Sequence, residues 1–194
     1  LPAEWGNLVN LKGLFLDMLF TPVDNPMYST IPESWGDMTA IRYFKMFNYK
    51  LSPKLHGSLP SGMINWTNLI NINIIGNDLS GAFPALSARA LLYFNIGRNN
   101  FTGEFPWDSI FNGDNAFLGK FYISGNNFTG QLPATVPIAS FPTTNTDEYR
   151  LGDFSIRGNS FSGQFPEWVF GSGGLQVLDI SQNDFTGEFP WLPL

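Results

Sequence analysis

Residues 125–133 read GNNFTGQLP, and three other stretches of the chain repeat this phrase with few changes. They are RNNFTGEFP at 98–106, GNSFSGQFP at 158–166 and QNDFTGEFP at 182–190. Each phrase follows a segment in which apolar and polar residues alternate, such as LGKFYIS at 118–124. Alternation with period two predicts a short β-strand with one buried face. Self-similarity along the chain predicts a repeat architecture in which each unit packs only on its neighbours.

The full pattern is LxxLxLxxN followed by x[LF][ST]Gx[FLI]P, recurring at intervals of roughly 22–33 residues. The asparagine that follows the strand occurs in five units: Asn77, Asn99, Asn126, Asn159 and Asn183. An asparagine amide both donates and accepts hydrogen bonds, so these side chains are predicted to form a ladder that satisfies backbone groups at the bend. Two earlier units are looser and carry Leu19 and Tyr49 in the asparagine position.

This pattern resembles the leucine-rich repeat family, and specifically its plant-type subclass with an LxGxIP signature. The resemblance implies an α/β-type solenoid, a horseshoe with a parallel β-sheet on the concave face and irregular or short 3₁₀ segments on the convex face. We expect a single solenoid over residues 1–194, with about seven repeats plus a partial one at the N-terminus. Neither end resembles a polar capping repeat, so we expect a segment of a longer chain. Phenylalanine replaces many of the family's leucines.

Composition disfavours several classes of function. The net charge is −6 and there is no run of Lys or Arg, so a nucleic-acid partner is not supported. No apolar run approaches the ~18 residues that span a bilayer, so we expect no membrane contact within this segment. The only histidine, His56, lies in an insertion, and cysteine is absent. We therefore expect no enzyme, no cofactor and no His/Cys metal site. At 111–117 a plain turn is favoured over a calcium site.

Outward-facing strand positions carry the candidate binding residues. These are five aromatic residues with four cations beside them: Phe15, Tyr43, Phe47, Tyr93 and Tyr122, with Lys45, Arg98, Lys120 and Arg157. Exposed aromatics with cations and amides favour recognition of a protein, peptide or glycan. Exposed apolar residues are also normal on any protein surface, so the alternative that this face binds no partner stays open. Insertions at 20–30, 50–56 and 133–150 are predicted to be surface loops that either carry function or are neutral.

Three sequons predict N-glycosylation at Asn65, Asn100 and Asn127 in a secretory pathway. Two of them follow from the repeat phrase itself and are weak signals alone. The charged fraction is only 13%, and the resemblance implies an extracellular protein. We therefore expect a location outside the cell or at the cell surface.

Two hypotheses of function follow. The first is a non-enzymatic, receptor-like recognition module that binds its partner through the concave face. The alternative is a structural or adhesive spacer in an extracellular matrix, wall or filament, which contacts neighbouring repeats of the same longer chain. Ice binding would need a flat, regular array of threonine or asparagine, and the irregular repeat lengths disfavour it.

Overall fold

The computed structural model describes residues 1–17, 29–48, 54–112, 115, 118–136 and 151–190. Within these ranges the chain forms two parallel sheets, and the strands of one alternate along the sequence with those of the other. The solenoid with a parallel sheet that the repeat predicts is confirmed. The predicted insertions and the positions of Leu19 and Tyr49 lie wholly or mostly outside the described residues.

The first sheet contains the alternating segment of each repeat. Its seven strands, in spatial order, are β1 (Gly13–Asp17), β2 (Tyr43–Phe47), β4 (Asn71–Asn73), β6 (Tyr93–Asn95), β8 (Lys120–Tyr122), β10 (Asp153–Ser155) and β12 (Val177–Asp179). Spatial order follows chain order, because each repeat adds one strand beside the previous one. Equivalent residues of successive repeats therefore lie side by side across the sheet.

The second sheet is formed by residues that follow the asparagine of each repeat. Its six described strands are β3 (His56–Gly57), β5 (Asp78–Gly81), β7 (Asn100–Glu104), β9 (Asn127–Gln131), β11 (Ser160–Gly163) and β13 (Asp184–Phe185). The resemblance implies irregular or short 3₁₀ segments outside the first sheet, so this second sheet is not predicted from the sequence. Phe101 and Phe128 point inward from it with no exposed surface.

Short helices follow the proline that ends a repeat. They are the 3₁₀ helices Ala3–Asn7, Glu33–Asp37, Ser61–Asn65 and Glu167–Ser172, and the single α-helical turn α1 (Trp107–Ile110). In four of them the proline carbonyl accepts the first helical hydrogen bond, as in Trp35 N to Pro32 O at 3.0 Å and Met63 N to Pro60 O at 3.2 Å. Proline suits this position because its φ is fixed and its missing N–H is not needed.

Phenylalanine stacks run along the core where leucine would be expected. The Phe94 and Phe121 ring centroids are 5.3 Å apart, and those of Phe121 and Phe154 are 5.4 Å apart. Neighbouring strands are about 4.8 Å apart, so a ring repeated at one position can stack on its equivalents with a small offset. All three side chains are fully buried.

The asparagine side chains join each repeat to the one before it. Asn126 Nδ2 donates to Ile123 O of its own repeat at 3.0 Å and to Ile96 O of the preceding repeat at 3.1 Å. Its Oδ1 accepts from Phe101 N at 3.1 Å. The same three-way arrangement recurs at the other predicted positions: Asn77, Asn99, Asn159 and Asn183.

Candidate functional site

The outward face of the first sheet separates the nine predicted binding residues into two groups. Phe15, Tyr43, Lys45 and Phe47 lie on β1 and β2. The other five, Tyr93, Arg98, Lys120, Tyr122 and Arg157, lie on or just after β6, β8 and β10. Between the groups is β4, which pairs with both β2 and β6. The sequence predicted one patch, whereas the structure contains two surfaces about two strand spacings apart, or roughly 10 Å.

The N-terminal surface, here called the aromatic shelf, consists of Phe15, Tyr43 and Lys45. Phe15 is 60% exposed and Tyr43 is 38% exposed. Their ring centroids are 6.3 Å apart with an angle of 22° between the rings. Lys45 Nζ is 5.6 Å from the Phe15 ring centroid. Phe47 is half-buried at the end of β2.

Gly13 makes room for the Phe15 ring. A Cβ at position 13 would lie 2.7 Å from Phe15 Cε2, closer than a van der Waals contact allows. Gly13 and Phe15 point to the same side of β1, and Tyr43 pairs with Gly13. The ring therefore lies back over Gly13, towards Tyr43, rather than standing away from the strand.

The second surface, here called the central groove, consists of two adjoining cavities. One has a volume of about 340 Å³ and is lined by side chains that include Tyr93, Asn95 and Tyr122. The other has a volume of about 540 Å³ and is lined by side chains that include Arg157 and Asp179. Arg98, Ser124 and Ser155 line both cavities, so the two form one continuous depression across the C-terminal ends of β6, β8, β10 and β12.

A buried carboxylate holds one end of the groove in place. Asp153 is only 9% exposed, its Oδ2 lies 3.0 Å from Lys120 Nζ, and the Tyr122 hydroxyl donates to the same oxygen. Burial opposes ionisation of Asp153, but the Tyr122 hydroxyl and the Lys120 ammonium outweigh it and lower the pKa of the carboxyl. Burial, and then Asp153, raise the pKa of Tyr122. Asp153 is thus an anion and Tyr122 a phenol at neutral pH.

The aromatic wall of the groove is also fixed by its neighbours. The Tyr93 and Tyr122 ring centroids are 6.0 Å apart, and Asn95 Nδ2 donates to the Tyr93 hydroxyl at 3.2 Å. Asn95 itself is held by a bond from Gly97 N to its Oδ1 at 3.1 Å. On the floor, Ser124 Oγ and Ser155 Oγ are 2.6 Å apart. These bonds restrict the side chains before any ligand arrives.

Two arginines lie at the edge of the groove in different states. Arg157 Nη1 is 3.8 Å from Asp179 Oδ2, and its Nε donates to Gln182 Oε1 at 3.3 Å. Arg98 is exposed and has a left-handed φ of 53°. The neighbouring repeats place Gly125 and Gly158 at the equivalent position. Gln182 occupies the same position in the last described repeat with a φ of 56°, so the left-handed conformation belongs to the repeat, and a non-glycine residue there costs conformational energy.

Sequence reasoning missed the polar partners in the groove. Asp153, Asn95, Ser124 and Ser155 were not among the predicted binding residues, yet they line the groove or hold its walls. The repeat alignment contained the signal, because it places Asp153 one strand away from Lys120. Opposite charges at neighbouring outward positions of adjacent strands are expected to pair.

The three sequon asparagines lie away from the outward face of the first sheet. Asn100 and Asn127 are the exposed first residues of β7 and β9 in the second sheet. Asn65 is the exposed last residue of a 3₁₀ helix. In the second sheet Thr102 pairs with Asn127, and Glu104 pairs with Thr129.

Among the described residues there is no group of three or more His, Cys, Asp or Glu side chains that could hold a metal ion. The same residues include no helix with the length and apolar character needed to cross a membrane.

Comparisons with known proteins agree with both the repeat and the fold. A family model described as Leucine Rich Repeat matches residues 174–193. No curated protein matches the chain. Among solved structures, the LRR ectodomain of the plant membrane receptor kinase GASSHO1/SCHENGEN3 from Arabidopsis thaliana, in complex with CASPARIAN STRIP INTEGRITY FACTOR 2, is 25% identical with a TM-score of 0.75. That alignment covers 98% of this chain and 20% of the other.

Two further structures are similar over nearly the whole chain. The Arabidopsis receptor kinase HAESA, in complex with the peptide hormone IDA and the co-receptor SERK1, is 26% identical with a TM-score of 0.74, over 98% of this chain and 28% of that one. A plant ice-binding protein is 25% identical with a TM-score of 0.65, over 95% of this chain and 53% of that one. The chain thus spans less than a third of either receptor structure.

Proposed function

This chain is a plant-type leucine-rich repeat solenoid, and on that premise we propose that it is a non-enzymatic recognition module whose central groove binds an extended peptide or protein segment. The observation that carries the proposal is the continuity of the groove across four strands, because an extended chain needs a long, open depression rather than a closed pocket. The similar structure of the receptor kinase HAESA in complex with the peptide hormone IDA supports the same class of partner.

The groove is suited to binding because its polar groups are already ordered. Tyr93 and Tyr122 offer ring faces for apolar side chains, and Ser124 and Ser155 offer hydroxyls to a peptide backbone. Their positions are set by bonds within the protein, so a ligand does not have to order them. Arg98 supplies a guanidinium at the edge, with five donors for a carbonyl or carboxylate of the ligand.

We also propose that the module works outside the cell. The described sequon asparagines are exposed, and each carries its Thr two residues later. Glycans on Asn100 and Asn127 would cover the second sheet and leave the groove open. Expression through a plant secretory pathway, followed by mass spectrometry of the sequon peptides, tests this. Unmodified asparagine at all three positions would contradict an extracellular location.

The binding proposal is tested by selecting ligands from a random dodecapeptide library and measuring the affinity of the selected peptide by calorimetry. We expect Tyr93→Ala and Arg98→Gln each to weaken binding at least tenfold, as the loss of an anchor that the ligand covers does, with little change in melting temperature. Tyr122→Phe is preferable to Tyr122→Ala, because alanine would also uncover Asp153. Val177→Ala, at an exposed position on the last strand of the same sheet, is the matched control.

The outcome separates the two functions that the sequence left open. A peptide that binds wild type and loses affinity with Tyr93→Ala supports a recognition module. If the library yields no specific peptide, or only peptides that ignore the groove variants, the proposed function is wrong and the structural or adhesive spacer becomes the better explanation.

A further inference from the structure

The aromatic shelf is a separate surface that a ligand in the central groove would not use. Phe15 is the most exposed large apolar side chain among the described residues, at 60%. Its position is nevertheless defined, because the ring lies over Gly13 and beside Tyr43. Leaving a phenylalanine ring in water costs free energy, and a ring that is both exposed and positioned suggests a contact surface.

The shape of the shelf favours a ligand that binds through one flat face. Its two rings are stacked with an offset, inclined by only 22° and with their centroids 6.3 Å apart. The anchor side chains of a peptide are normally enclosed on several sides by a pocket. A pyranose ring needs much less, because its face of C–H groups can rest on the electron-rich face of an aromatic ring.

The charge around the shelf favours an anion. Lys54, Lys120 and Arg157 each form a salt bridge with an aspartate. Lys45 forms no salt bridge in the part of the chain that the structure describes, and its ammonium lies over the Phe15 ring. Two more exposed cations, Lys12 and Arg42, directly precede β1 and β2. The shelf itself therefore offers one cation, Lys45, that has no carboxylate partner in the described part of a chain whose net charge is −6.

We propose that the aromatic shelf binds an acidic saccharide, with the face of a uronate ring on Phe15 and Tyr43 and its carboxylate paired with the Lys45 ammonium. The carboxylate forms a charge-assisted hydrogen bond that a neutral sugar cannot form. The two rings and the cation lie on adjacent strands in register, since Phe15 pairs with Lys45 and Gly13 with Tyr43. The site is therefore built by the sheet and does not depend on a peptide in the central groove.

The test compares two sugars that differ only in charge. The probes are the tetramers of β-1,4-linked glucuronate and of β-1,4-linked glucose, titrated into the intact chain by calorimetry, with saturation-transfer NMR to detect contact with the rings. We expect the glucuronate tetramer to bind at least fivefold more tightly than the glucose tetramer at low salt. That difference is expected to shrink as ionic strength rises. Phe15→Ala and Tyr43→Ala are expected to weaken glucuronate binding by roughly three- to tenfold each.

Three further variants distinguish the shelf from a general surface effect. Lys45→Gln is expected to make the two tetramers bind equally, because the carboxylate loses its partner. Gly13→Ala is expected to weaken binding as much as Phe15→Ala does, since the new Cβ displaces the Phe15 ring while all three shelf residues remain. Tyr93→Ala, in the central groove, is the matched control and is expected to leave the affinity for the sugar unchanged. All these positions point outward, so melting temperatures should stay close to wild type.

Several results would overturn the inference. Equal binding of the two tetramers to wild type would show that the shelf does not recognise an acidic sugar. Undiminished binding of the glucuronate tetramer to Phe15→Ala and Gly13→Ala would show the same. An acetylated peptide of sequence Asp-Phe-Asp-Phe is the second probe, and it tests whether the shelf binds a peptide instead of a sugar. If that peptide binds the shelf and the glucuronate tetramer does not, the occupant is a peptide and the proposal is wrong. Loss of peptide binding in the groove alone would leave the shelf inference intact.

Discussion

Replacing Asn126 by alanine tests how far the asparagine ladder holds the repeats together. The side chain is 6% exposed and forms three hydrogen bonds with the backbone. Its loss leaves the Phe101 N–H buried without an acceptor, which costs about 1–3 kcal/mol. Ile96 O and Ile123 O each keep a second amide from a neighbouring ladder residue. Those two lost bonds therefore cost only about 0.5–1 kcal/mol each. We expect a total of roughly 2–5 kcal/mol.

Asn183→Ala is the matched control, because that residue forms the same kinds of bond at the end of the described sheet. It is only partly buried, so water can replace the side chain at the Phe161 N–H. The expected cost is about 1 kcal/mol. Urea denaturation followed by tryptophan fluorescence, with the slope checked for each variant, measures both values. Equal costs for the two variants, or less than about 1 kcal/mol for Asn126→Ala, would refute the reasoning.

Three further predictions follow. The lowered pKa of Asp153 means that its ionised form stabilises the fold above about pH 4, and that this stability is lost as the pH falls through the folded-state value. In the Asp153→Asn variant the melting temperature should therefore fall less steeply than in wild type as the pH is lowered. The same variant should bring the pKa of Tyr122 closer to its ordinary value in a spectrophotometric titration. Gly76→Ala should destabilise the chain by several kcal/mol, because a Cβ there lies 1.9 Å from a backbone carbonyl oxygen. Gly103→Ala, with a similar φ of 79° and no atom within 4 Å, should cost only about 1 kcal/mol in the same denaturation assay. Peptide affinity in the groove should change little between low and moderate salt, since only Arg98 lacks a carboxylate partner among the described groove cations.

The repeat could be recognised from the sequence because its physical constraints are local. A strand with one buried face needs apolar residues two apart, and a buried bend needs an amide such as that of Asn99. The apolar spacing recurs in every unit and the asparagine in five of them, so the first sheet and the ladder could be located from the sequence. The second sheet was missed because Asn and Gly, which recur in most of its segments, are depleted in strands on average. Strand 100–104 exists because its neighbours pair with it, which is a property of the stack and not of the segment.

The site could be predicted only in part, for a related reason. The alternation of apolar and polar residues along a strand identifies which side chains point outward, and it correctly identified Phe15 and Tyr122 as outward residues. It does not say how an outward side chain lies. Phe15 folds over Gly13 because of one missing Cβ, and Tyr122 turns to Asp153 because a carboxylate is within reach on the next strand. Such choices depend on pairs of residues that are far apart in the sequence, so neighbouring residues do not reveal them.

The two outward surfaces differ in how their charges are used, and this difference bears on what each can bind. In the central groove Lys120 and Arg157 are paired with Asp153 and Asp179, so most of the charge is neutralised within the protein. A ligand there would be selected by shape and by hydrogen bonds to fixed groups. On the shelf Lys45 has no carboxylate partner in the described chain, so its charge remains available to a ligand. Because the buried ladder holds the backbone under both surfaces, outward residues can differ from repeat to repeat without loss of the fold.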